Sequence, residues 1–129
     1  MKEPRWLDAL MIRAIHTSQI REHGGSIGLR DKDLLESALA RPRHRLRYQP
    51  NVDLFDLGAS YGFGLARDHP FVDGNRRVAF QAMYVFLGLN GLRIDADEPD
   101  VVHTVLSLAA GELRESELAE WLRRHTTAR

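Results

Sequence analysis

His69, Asp73, Gly74, Asn75, Arg76 and Arg77 fall within the short run HPFVDGNRR. The run combines an imidazole, a carboxylate, a turn-permitting glycine and two guanidinium groups. Residues 78–89 follow at once, apolar or small everywhere except Gln81. A helix apolar on all sides is a buried one, and about a dozen residues are too few to span a bilayer. The polar run therefore heads a buried central helix. First-turn N–H groups of a helix have no intrahelical partner, and the helix dipole adds partial positive charge there. Glycine allows close backbone approach, so phosphate oxygens could sit on the amides of Gly74 and Asn75.

The side chains extend that chemistry. Arg76 and Arg77 are consecutive, so they diverge around the helix and could grip different phosphates with forked donors. Asp73 suits Mg²⁺, which takes a carboxylate together with phosphate oxygens and waters. His69 is the group best matched to accepting a proton near neutral pH. Phe71, between them, reads as a buried anchor. The set fits phosphoryl or nucleotidyl transfer, where a protein chiefly positions groups and stabilises charge. A purely structural reading stays open at this point: His69 and Asp73 would hydrogen-bond the turn, and the arginines would pair with nearby carboxylates.

Several helices are needed to hold this run. Residues 7–22 predict the first, with Asp8 or Pro4 at its start and an apolar stripe of Leu7, Leu10, Met11, Ala14 and Ile15, extended by Ser18. Gly24 and Gly25 stop it. Asp31 caps a second helix with Leu34, Leu35, Ala38 and Leu39 inside, ended by Pro42. Residues 41–49, RPRHRLRYQ, then read as a solvated connection, a basic flap over a phosphate-bearing ligand or a docking strip, with room for a short hairpin. Asp53 caps a third helix reaching Arg67. Interior glycines cost roughly 1 kcal/mol each against alanine. Gly58, Gly62 and Gly64 thus predict close packing on a neighbour, the buried helix being the candidate. His69 precedes Pro70, which favours extended backbone and ends that helix. Asn90-Gly91 stops the central helix, Asp97 or Glu98 with Pro99 starts another, and Leu118, Trp121 and Leu122 mark a last one before a polar tail. The fold expected is all-α, about six helices around a buried central helix, in one domain over residues 1–129.

Composition narrows the function. Eighteen basic and eighteen acidic residues give zero net charge, so no overall field attracts nucleic acid or a membrane. The chain has no cysteine, excluding disulfides, thiol nucleophiles and Cys-based zinc sites. Its first residues lack an apolar secretory core, which makes the cytoplasm the expected location. His16, His23, His44, His103 and His125 show no metal-ligand spacing and read as surface or helix-face residues. His16 and Arg21 are in a helix that could approach the site.

The run His69 to Arg77 closely resembles the core motif of the Fic/Doc family, particularly its Doc (death-on-curing) toxins. IHTSQIREHGG, GLRDKDLLESALARP, DLFDLGASYGFGLARDHPF, FLGLNG and GELRESELAEWL resemble Doc-type sequence in the same order, over nearly the whole chain. The resemblance implies a helical Fic fold and a kinase-like transferase using ATP and Mg²⁺. In that case His69 is the general base, Asp73 the metal-linked carboxylate, Gly74 and Asn75 the anion-binding turn, and Arg76 and Arg77 the phosphate ligands. It further implies a toxin that phosphorylates a threonine of elongation factor Tu, and a Phd-like antitoxin as partner.

Two positions depart from the pattern. Adenylylating Fic enzymes read G-N-G-R-x-x-R, but Arg76 stands at the second glycine and Phe80 at the last arginine. A long side chain at 76 obstructs close phosphate approach, which argues against AMP transfer. Doc proteins commonly carry lysine there, so the charge is kept while the planar fork is new. No Ser/Thr-x-x-x-Glu-Gly/Asn segment of the built-in inhibitory type is present, so restraint by a separate antitoxin is expected. AMP transfer and a non-catalytic module acting through antitoxin and DNA are the alternatives. RNA cleavage fits less well, because the basic residues lack interleaved aromatic platforms beyond Tyr48.

Overall fold

The computed structural model describes residues 2–129. It contains six helices, α1 (Ala9–His23), α2 (Lys32–Tyr48), α3 (Leu54–Asp68), α4 (Asn75–Leu89), α5 (Glu98–Ala109) and α6 (Glu115–Arg124). Two three-residue strands complete it, β1 (Leu92–Ile94) and β2 (Thr126–Ala128). The fold is all-α apart from this pair, as the periodicity predicts. The strands run antiparallel with Leu92 opposite Ala128, so the expected polar tail is tied back beside α4. Segments this short carry too little alternation to show in a sequence.

α3 and α4 form the centre. Asp53 and Asp56 make a reciprocal capping box at the start of α3, satisfying two N–H groups that would otherwise be orphaned. A methyl group at Gly62 would overlap the Met83 thioether, and one at Gly58 would touch Leu87 and Leu122. These two glycines bring α3 against α4, as expected, and Gly58 also brings it against α6. Gly64 serves a different contact, with Ala38 of α2 at 3.4 Å from its would-be Cβ. α4 buries Val78, Ala79, Ala82, Met83, Phe86 and Leu87, but burial is not all round. Tyr84 is exposed and Phe80 and Gln81 are half-buried, because one side of α4 faces an open cleft.

Two expectations are corrected. The buried residues of α1 are Ile12, His16, Gln19 and Ile20, whereas Leu10 is 80% exposed and Met11, Ala14 and Ser18 also face solvent. Leu7 is buried and Ile15 packs on the core as expected, but two of the inward positions of α1 are polar, so an apolar stripe misses them. In addition, α2 does not stop at Pro42 but runs on to Tyr48. An interior proline costs about 3 kcal/mol or more, and tertiary ion pairs oppose that cost. Arg41 and Arg45 both reach Glu115 in the first turn of α6, the latter at 2.6 Å, and Arg45 also lies 3.7 Å from Asp56. Arg43 sits over Trp6. Residues 41–49 are therefore neither a flap nor a hairpin; three of their arginines fasten α2 to the bundle.

Candidate functional site

Asp73 is the most heavily tethered residue of the polar run. Its Oδ1 accepts the Gly74 N–H at 2.8 Å, its Oδ2 accepts the Ser26 N–H at 3.2 Å, and its main-chain carbonyl accepts from His16 Nε2 at 2.9 Å. The carboxyl is held below its ordinary range, chiefly by the Ser26 N–H, then by the Gly74 N–H, with Arg77 and His16 adding smaller effects. A carboxylate accepting backbone N–H bonds favours its charged form. Gly25 makes this closeness possible: at φ 121° a Cβ there would meet Asp73 Oδ2 at 2.6 Å.

Phe71 is the anchor expected of it. It is buried and stacks on His16, the ring centres 4.0 Å apart and the planes 8° from parallel. The Asn75 side chain brackets the same residue, accepting from Phe71 N and donating to Phe71 O, both at 2.9 Å. Asn75 thus staples the turn with its amide group. Val72 N donates to Gly28 O, and Phe71 pairs with Leu29 in an isolated bridge. The segment after α1 therefore lies alongside the run as a short extended partner.

His69 is exposed and caps α3 in the left-handed region, φ 50° and ψ 58°. The expected extended backbone is overridden, since the chain must reverse between α3 and α4 within a few residues. Gly74, also left-handed at φ 78°, is the N-cap of α4, and no side chain caps that helix. Arg77 reaches the Gly24 carbonyl at 3.3 Å, while Arg76 is exposed.

His69, Asp73, Gly74, Asn75, Arg76 and Arg77 all line one open cleft of about 1150 Å³. Its far wall is apolar, made by Val101, Val102, Val105 and Leu106 of α5, and Phe80 and Tyr84 of α4 lie between. A volume of this order accommodates a nucleotide-sized ligand. Among the described residues no three His, Asp or Glu side chains cluster in a metal-ligating group. A lone ionised carboxylate at a cleft lip still fits Mg²⁺, which keeps several waters and draws its other ligands from phosphate. The basic residues of α2 lie outside this lining. Of the two α1 residues that could approach the site, His16 does so through Asp73 and Phe71, whereas Arg21 is exposed and outside the cleft lining. The signal for an inward role at His16 was its spacing of four residues from each of Ile12 and Ile20. No helix among the described residues is long and apolar enough to cross a membrane.

The chain is similar to known proteins over most of its length. Residues 6–87 match the Fic/DOC family. The chain is 34% identical over 111 residues to "Protein kinase doc" of Escherichia phage P1, covering 86% of this chain and 87% of that protein. It is 41% identical over 78 residues to "Toxin Doc" of Mycolicibacterium smegmatis, covering 57% of this chain and 58% of the relative.

Proposed function

The chain belongs to the Fic/DOC family, and from that premise we propose that it is the toxin of a toxin–antitoxin pair, a kinase-like transferase that moves the γ-phosphate of ATP to a protein hydroxyl. The observation that carries this reading is the meeting of His69 and Asp73 at one cleft lip, beside a helix N-terminus that no side chain caps. The target proposed is a threonine of a translation factor, elongation factor Tu first among them, and the partner proposed is a Phd-like antitoxin.

Each residue has a defined task in this reading. The Asn75 amide and the first turn of α4 receive phosphate oxygens in place of a capping side chain, while Gly74, left-handed at φ 78°, forms the turn and gives its own N–H to Asp73. Arg76 and Arg77 add forked cationic donors. Asp73, kept ionised by Ser26 and Gly74, would hold Mg²⁺, whose charge when bound would offset that of the polyphosphate. His69 removes the proton from the target hydroxyl as its oxygen bonds to the γ-phosphorus. The bond from that phosphorus to the β–γ bridging oxygen breaks, ADP leaves, and the imidazolium later returns its proton to water. Arg76 occupies the place where adenylylating relatives need glycine, which favours γ- over α-phosphate transfer.

The test uses γ- and α-labelled ATP with purified protein and a translating cell extract, followed by mass spectrometry of translation factors. Label from the γ position on a threonine, lost in His69→Ala, is the expected result. Label retained only from the α position would replace the kinase reading with AMP transfer. Growth arrest undiminished by His69→Ala would point instead to a non-catalytic module.

A further inference from the structure

Among the described residues His69 is the one non-glycine with positive φ. It also precedes Pro70, a context that favours extended backbone, so its conformation requires an external hold. Arg30 provides one. Its Nε donates to the His69 carbonyl at 2.7 Å and its Nη2 to the Asp68 carbonyl at 2.8 Å. The main-chain N–H of Arg30 donates to the Pro70 carbonyl at 2.8 Å. Three consecutive carbonyls at the turn out of α3 thus accept from Arg30, the last of them shared with the Asp31 N–H at 3.0 Å.

The chemistry of the guanidinium suits this task. Its planar fork fixes two neighbouring peptide groups relative to each other, which a compact ammonium cannot do. The last carbonyls of a helix lack intrahelical partners and carry partial negative charge, so a cation belongs there. Arg30 lies outside the lining of the cleft. The anion-binding end of the run has its own supports, Asn75 on Phe71 and His16 on Asp73.

We propose that Arg30 is a positioning residue for His69, clamping the left-handed turn that presents the imidazole to the cleft while leaving the phosphate-binding end to other supports. The inference rests on reading His69 as the base. It assigns the two ends of the polar run to separate anchors, and so predicts separable kinetic effects.

Two measurements on full-length protein test it. In ¹³C,¹⁵N-labelled protein the Cα and Cβ shifts of residue 69 report its backbone conformation without reference to activity. The wild type should give a left-handed signature, and Arg30→Ala a shift towards extended values. In phosphate transfer, Arg30→Ala should lower kcat by about tenfold to a hundredfold, the range a small misplacement of a reacting group produces, with KM for ATP within about twofold. Arg30→Lys, which keeps the charge but not the fork, should fall between, and millimolar guanidinium should restore part of the loss to the alanine variant. If Arg30→Ala does not fold, Arg30→Lys carries both measurements. A left-handed residue 69 with unchanged kcat in the variant overturns the proposal, as does a loss confined to KM. If His69→Ala retains full kcat, the base assignment falls instead, and the chemical shifts still judge the clamp.

Discussion

His16 donates from Nε2 to the main-chain carbonyl of Asp73 at 2.9 Å while its ring lies flat against Phe71. A carbonyl oxygen only accepts, so the proton is on Nε2 in this arrangement. One buried imidazole therefore joins α1 to both the anchor Phe71 and the main chain of Asp73.

Replacing His16 with Ala should cost about 2–4 kcal/mol, from the lost stack, the cavity and the unpaired carbonyl. Because the bond reaches Asp73 rather than His69, KM for ATP·Mg²⁺ should rise more than kcat falls. His16→Gln retains an N–H donor and should recover part of the affinity. Urea unfolding and initial rates over a Mg²⁺ series check this. A variant with normal Mg²⁺ dependence would remove His16 from the site and leave it a core residue.

Asp73 gives the site a defined acid limit. Its folded pKa lies below its ordinary value of 3.8 because the Ser26 and Gly74 N–H groups favour the carboxylate. For a depressed acid, the stabilising contribution is complete above the unfolded pKa and is lost as pH falls through the folded one. Ionisation of Asp73 should thus leave rates flat from pH 5 to 8 and matter only below about 4. Gly25→Ala places a methyl against Asp73 Oδ2 and strains a backbone at φ 121°. That variant should bring the Asp73 pKa back up towards 3.8 in an NMR titration and weaken ATP binding. An unchanged titration midpoint would show that the Ser26 contact contributes little.

The parts that sequence could show are local ones. Asp8, Asp31 and Asp53 each cap the helix expected of them, because a cap is decided by residues three apart. Gly58 and Gly62 signal the α3–α4 approach for a similar reason: their cost inside a helix needs a compensating contact. The six polar-run residues are also found together at one cleft, since they share one turn. What stayed hidden depends on distant partners. Pro42 is carried inside α2 by Glu115, which lies some seventy residues further along the chain. His16 is inward-facing although polar, and hydrophobic periodicity discards such residues. The left-handed turn at His69 follows from Arg30, a residue whose local sequence says nothing of the carbonyls it meets.

Glu115 is the hub of the α2–α3–α6 contact. It receives Arg41, Arg45 and the buried hydroxyl of Ser60, the last at 2.9 Å. Removing it leaves two guanidinium groups and a hydroxyl short of partners. Glu115→Ala should destabilise by about 2–4 kcal/mol, the scale for opening a partly buried, hydrogen-bonded charge network. Glu115→Gln keeps the shape but not the charge and should cost less. Chemical denaturation measures both, and the nucleotide KM should stay unchanged in each because the network lies away from the cleft. A shift in KM larger than the loss of stability would mean that the basic half of α2 communicates with the site.

In the proposed function, Arg76 and Phe80 are the positions that set which phosphate reacts. Both line the cleft, one helical turn apart on α4, and Phe80 tilts against Tyr84 with ring centres 6.2 Å apart. Arg76→Gly removes a forked donor from the phosphates and should lower kcat/KM for γ-transfer by about tenfold to a hundredfold, the worth of one charge-assisted contact. It should not produce AMP transfer alone, because Phe80 still stands where adenylylating relatives carry arginine. The double variant Arg76→Gly with Phe80→Arg recreates G-N-G-R-x-x-R, giving open backbone at 76 and a second cation at 80. It should begin to transfer α-label to protein, read from paired α- and γ-labelled ATP reactions. If the double variant continues to transfer only the γ-phosphate, the choice of phosphate is made elsewhere in the cleft, with the apolar wall of α5 the next place to substitute.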